Sequence, residues 1–212
     1  MFRLLLVAGL LLLPSFSPLA HAEERPVILI LGDSLSAGYG LVHPSDGWVA
    51  MLEARLRETG SQYRVVNASI SGETTAGGLT RLPALLEREG PELVIIQLGA
   101  NDGLRGLDLD RMATNLHELI ERSRSAGSRV LLVGNRLPPN YGAAYTQRFQ
   151  AVFEAVAAEA RVPLVPALLA GVAEHWDLMQ PDGVHPTARA QPQLLANVWR
   201  VLAPLLDVNV AR

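Results

Sequence analysis

Five short, nearly unbroken apolar runs separate stretches of helical periodicity: Val27 to Leu31, Tyr63 to Asn67, Leu93 to Leu98, Val130 to Val133 and Val162 to Val165. A strand with one wet face alternates apolar and polar residues, whereas a strand covered on both faces does not. The second run is the weakest, because Arg64 interrupts it. Between the runs, Val49, Leu52 and Leu56 share one helical face before Gly60. Asp108 is placed to cap a helix carrying Met112, Leu116, Leu119 and Ile120, with Gly127 as its stop. Phe149, Val152, Phe153 and Val156 mark another helix. Leu194, Leu195, Val198, Leu202 and Leu205 mark the last, with Pro192 in its first turn. A repeated β-α order predicts a three-layer α/β/α domain with right-handed crossovers.

The first 22 residues stand apart from this pattern. Arg3 gives a short positive start, Leu4 to Leu13 is apolar, and Ala20-His21-Ala22 fits a small-x-small cleavage site. This predicts a secretory signal peptide over residues 1–22, cut after Ala22, followed by a single domain over 23–212. The alternative, an uncleaved anchor, needs a longer apolar run to cross a bilayer. With no cysteine in 212 residues, lipid attachment through a cysteine, disulfides and thiolate chemistry are excluded. A net charge of −3 lacks the basic face that a nucleic-acid partner requires. No amphipathic stretch suggests a stable membrane anchor.

In open parallel sheets the ligand crevice lies at the carboxyl ends of the strands. Ser34 follows the first run, within Gly32-Asp33-Ser34-Leu35-Ser36. It is either a nucleophile lifted into the crevice or a helix N-cap. Ser36 stands where the α/β-hydrolase elbow needs glycine, so that motif is absent. Asp182 and His185 lie three apart in Gln180 to Pro186, a spacing that can set a carboxylate on imidazole Nδ1 and leave Nε2 free for a serine. The alternatives are a helix-start cluster or a metal site that adds His175 and Asp177. Gly72 and Asn101 follow the second and third runs. Each could serve only its own turn, but a glycine N–H and an asparagine amide are also oxyanion donors. Four separate loops thus bring complementary chemistry to one rim.

These blocks resemble the SGNH (GDSL) hydrolase superfamily: Gly32-Asp33-Ser34-Leu35, Gly72, Gly99-Ala100-Asn101-Asp102, and Asp182-Gly183-Val184-His185-Pro186. Val65 to Thr74 and Arg136 to Gly142 further resemble its bacterial periplasmic thioesterase I, arylesterase and lysophospholipase subfamily. Asn135 is polar where that subfamily implies an apolar residue. The resemblance implies a flavodoxin-like five-stranded parallel sheet of order 2-1-3-4-5. It implies Ser34 as nucleophile, His185 as general acid/base and Asp182 as its orienting carboxylate. Its oxyanion hole combines the Ser34 and Gly72 N–H groups with the Asn101 side chain. No cofactor or metal is implied. The expected substrate is an acyl ester or thioester, lysophospholipids among them, handled by a monomer in the periplasm.

Three other readings remain at this point: a carbohydrate O-acetylesterase of the same superfamily, a non-catalytic secreted binding module, and a metallohydrolase. An aromatic content of 5% speaks mildly against carbohydrate stacking. Asp33 and Asp102 read as loop organisers bonded to nearby backbone. Trp48, Trp176 and Trp199 read as packing residues, and His43, His117 and His175 as surface or structural groups. Thr75 to Leu79, Leu104 to Leu107 and Pro138 to Tyr141 are either walls of an acyl groove or ordinary loops.

Overall fold

In the computed structural model, which describes residues 25–206, five parallel strands form one sheet. They are β1 (Val27–Gly32), β2 (Arg64–Asn67), β3 (Leu93–Gln97), β4 (Arg129–Val133) and β5 (Leu164–Val165), in the order β2-β1-β3-β4-β5. The order that the family resemblance implies is therefore the observed one. The register runs Ile28 against Val65 and Leu93, Leu93 against Arg129, and Leu132 against Leu164. The signal-peptide segment lies outside the described residues.

The continuous apolar runs reflect two covered faces. Ile28, Ile30, Ile95, Leu131 and Val133 pack in one cluster with Trp48, Leu52, Leu56, Leu194 and Val198. Their neighbours Leu29, Leu31, Val94, Ile96 and Leu132 pack on the other side with Leu82, Leu116, Leu119, Phe149 and Phe153. Helices α2 (Trp48–Glu58) and α7 (Gln191–Leu202) cover the first face. Helices α3 (Thr75–Glu89), α5 (Leu109–Ser125) and α6 (Ala143–Ala160) cover the second. Two short helices, α1 (Ser34–Ala37) and α4 (Ala100–Leu104), sit directly after β1 and β3.

Several boundaries differ from expectation for local reasons. Strand β5 is two residues long, because Pro163 cannot donate to the ladder and Pro166 follows it. Thr75 to Leu79 is the opening of α3, not a loop. Gly77, Gly78 and Pro83 lower its helical signal, yet the Thr74 hydroxyl caps it by accepting from the Gly77 N–H, and Gly90 closes it. Leu205 falls in a short 3₁₀ turn beyond α7. Asp108 caps α5 as expected, accepting from the Asp110 and Arg111 N–H groups.

Candidate active site

The chain leaves β1 through Gly32 and turns at once into α1. Asp33, not Ser34, is the N-cap: its Oδ1 accepts from the Leu35 N–H at 3.0 Å. This releases Ser34, the first helical residue, from a capping role. Oγ of Ser34 lies 2.9 Å from His185 Nε2, and His185 Nδ1 lies 2.7 Å from Asp182 Oδ2. The three side chains form one connected row although 151 positions separate Ser34 from His185.

Local structure fixes each end of that row. Asp182 Oδ1 accepts from the Val184 and His185 N–H groups, so the carboxylate is held by its own loop while Oδ2 faces the imidazole. Gly183 adopts φ +68°, a left-handed turn that side chains disfavour. An antiparallel bridge between Met179 and Pro186 closes the loop. Gln180 staples it to the β1 side, donating to the carbonyls of Tyr39 and Pro186. The Tyr39 ring rests on the imidazole, with centroids 4.4 Å apart. Burial pulls the Asp182 carboxyl upward, but the hydrogen bonds from His185 and Val184 outweigh it and hold the group at about 2.

The second rim segment comes from β2 and β3. Gly72 turns with φ +80°. Asn101, in the first turn of α4, donates one amide hydrogen to the Glu73 carbonyl at 3.0 Å, and Arg105 donates to the Gly72 carbonyl at 2.8 Å. These two bonds fix α4 to the Gly72 turn. Among the described residues the backbone N–H groups of Ser34 and Gly72 donate to no backbone acceptor. Asn101 keeps a second amide hydrogen for a ligand.

Beneath the row lies a buried polar network. Gln97 ends β3; its Nε2 donates to Asp33 Oδ1 at 3.1 Å and its Oε1 accepts from the Ser36 hydroxyl at 2.5 Å. Asp102 accepts from the Thr75 N–H and hydroxyl. Both aspartates organise structure: Asp33 caps its own loop and also reaches Gln97 across 64 positions, while Asp102 holds Thr75 across 27. Burial pushes the Asp33 carboxyl up to about 6, against the bonds from Leu35 and Gln97 that lower it.

Ser34, Asn101 and His185 open into one cavity of about 480 Å³. Its walls are largely Leu35, Leu104, Leu137, Leu169 and Met179, with Pro138 and Pro139. Of the three suspected wall segments, Pro138–Pro139 and Leu104 take part, while Thr75 to Leu79 does not. Gly72 is not on the wall; it reaches the site through Glu73 and Arg105. Trp48 and Trp199 are buried packing residues, but Trp176 is 71% exposed and borders the cavity, which corrects its packing assignment. Among the described residues no three His, Asp or Glu side chains gather as a metal-binding group, and His175 does not join Asp182 and His185.

Reading the sequence alone missed Gln97, Tyr39 and Gln180. Gln97 had a usable signal, being the one polar residue inside an apolar run that enters the crevice. Tyr39 and Gln180 had none, since their value comes only from the juxtaposition of β1 with a distant loop.

Residues 30–191 match the model of the GDSL-like lipase/acylhydrolase family. The chain belongs to that family. It is 51% identical over 204 residues to an esterase TesA from Pseudomonas aeruginosa, covering 96% of this chain and all of that one. A thioesterase 1/protease 1/lysophospholipase L1 from Escherichia coli K12 is 41% identical over 187 residues, 88% of each chain. The crystal structure of a TesA superposes with a TM-score of 0.83 at 53% identity, over 85% of this chain and 99% of that one. This member of the family is a serine hydrolase acting on ester bonds.

Proposed function

We propose that the protein hydrolyses carboxylic ester and thioester bonds of acyl substrates through an acyl-enzyme on Ser34. The observation that carries this reading is the row Ser34 Oγ–His185 Nε2 and His185 Nδ1–Asp182 Oδ2 at 2.9 and 2.7 Å. Ser34 attacks the carbonyl while His185 takes its proton, and Asp182 orients and stabilises the charged imidazole. The negative oxygen is met by the Ser34 and Gly72 N–H groups and by the free amide hydrogen of Asn101. Collapse expels the alcohol or thiol, which takes the proton from His185. Water, deprotonated by the same ring, then attacks the acyl-enzyme and releases the acid.

The apolar cavity beside Ser34 is far larger than an acetyl group requires, which supports longer acyl chains over an O-acetylesterase. The names of the relatives support esters, acyl thioesters and lysophospholipids as substrates. We assign residues 1–22 to a secretory leader and 23–212 to one catalytic domain, working as a monomer in the periplasm. No helix among the described residues is long and apolar enough to cross a membrane.

The test is hydrolysis of p-nitrophenyl esters of increasing acyl length by residues 23–212 in EDTA, beside Ser34→Ala. Wild type should prefer medium or long chains, and the variant should lose on the order of 10⁶ in kcat. Near wild-type turnover by Ser34→Ala, or loss of activity in EDTA, would end the assignment. A preference for acetate would turn the substrate reading to the O-acetylesterase.

A further inference from the structure

One polar side chain on the cavity wall has no part in the chemistry above. Asn135 follows β4 and is 2% exposed. Neither its amide oxygen nor its amide nitrogen finds a hydrogen-bond partner among the described residues. Buried amides are almost always paired, because the hydrogen bonds they give up to water must be replaced. Asn135 nonetheless lines the same cavity as Ser34 and His185, a cavity whose walls include Leu137 and Leu169. Both amide atoms are themselves covered, so a ligand meets them only when the side chain turns towards the cavity, and a saturated acyl chain would offer it nothing there.

We propose that Asn135 is a specificity-determining residue that selects acyl groups bearing a hydroxyl on the chain, an inference resting on the esterase reading of this cavity. A hydroxyl both donates and accepts, so it can give its proton to Asn135 Oδ1 or take one from Nδ2; a methylene does neither. The leucines of the same cavity hold the hydrocarbon. An apolar residue at this position would remove the distinction and favour saturated chains.

The experiment compares octanoyl N-acetylcysteamine thioester with its hydroxylated isomers, substituted at successive carbons, as substrates of wild type, Asn135→Leu and Asn135→Ser. Wild type should favour one isomer over plain octanoyl by ~10-fold in kcat/KM, carried mostly by KM. Asn135→Leu should bring that ratio to one or below, and Asn135→Ser should keep part of it. The ratio is internal to each protein, so a variant of reduced stability still reports on it. Equal use of all substrates by wild type, or an unchanged ratio in Asn135→Leu, overturns the proposal. If wild type cleaves none of these but hydrolyses p-nitrophenyl acetate through Ser34, the acyl assignment of the cavity falls with it. If it cleaves no ester at all, the esterase reading itself is wrong.

Discussion

Asn101 contributes to the site in two directions at once. One amide hydrogen is spent on the Glu73 carbonyl, which fixes the side chain, and the other is the proposed oxyanion donor. Asn101→Ala should therefore lower kcat by ~10²–10³ and leave a measurable trace, since the remaining donors are backbone groups. A steady-state comparison checks this, and an unchanged kcat would remove Asn101 from the oxyanion hole. Asp33 makes a second residue-level prediction, about pH. Its carboxyl is lifted from 3.8 to about 6 by burial, so the folded chain holds this proton more tightly than the unfolded chain does. The stability it confers is full below pH 3.8 and is lost as pH rises through about 6. Asp33→Asn removes that titration, so relative to wild type the variant should gain ~3 kcal/mol between acid and neutral pH. Urea unfolding at both ends of the interval measures it; parallel wild-type and variant profiles would refute it. Asp182 has the opposite sign: the stability from its hydrogen bonds is intact above pH 3.8 and lost as pH falls through about 2. Any acid limb of kcat/KM between pH 5 and 8 should therefore persist unaltered by Asp182 titration.

At the scale of elements, the start of α5 was readable because a side chain caps it ahead of a strongly periodic stretch. Asp108 is visible in the sequence because only a short oxygen-bearing side chain can take up the first free N–H groups of α5. Asp108→Ala should cost ~1 kcal/mol, seen as a lower denaturant midpoint with an unchanged slope. A midpoint within error of wild type would mean that packing of α5 alone holds its first turn. Helix α3 was unreadable for the converse reason. Gly77, Gly78 and Pro83 oppose helix locally, and tertiary packing of Leu82 and Leu85 overrides them. Gly78 is tolerated because a Cβ there would come within 2.4 Å of Leu98. Such close approach between helix and strand leaves no periodic mark on the sequence.

Over the whole molecule, the sheet order was legible only through the resemblance to the SGNH superfamily, whereas the four strand-end loops were legible because the crevice of a parallel sheet lies at the carboxyl ends of its strands. What the pattern could not carry was distance. Ser34 as nucleophile and Ser34 as helix cap read alike until the fold gives the cap to Asp33 and sets His185 beside the hydroxyl. The network through Gln97 was hidden similarly, since Asp33, Ser36 and Gln97 meet only once β1 and β3 pair. This convergence makes one hydroxyl among the chain's serines the proposed nucleophile. The most direct measurement is peptide mapping by mass spectrometry after treatment with an activated alkylphosphonate ester, which forms a stable adduct with an activated serine. One adduct is expected, on Ser34, formed at the rate at which esterase activity is lost and absent from His185→Ala. An adduct on another residue, or full inactivation with Ser34 unmodified, would contradict it.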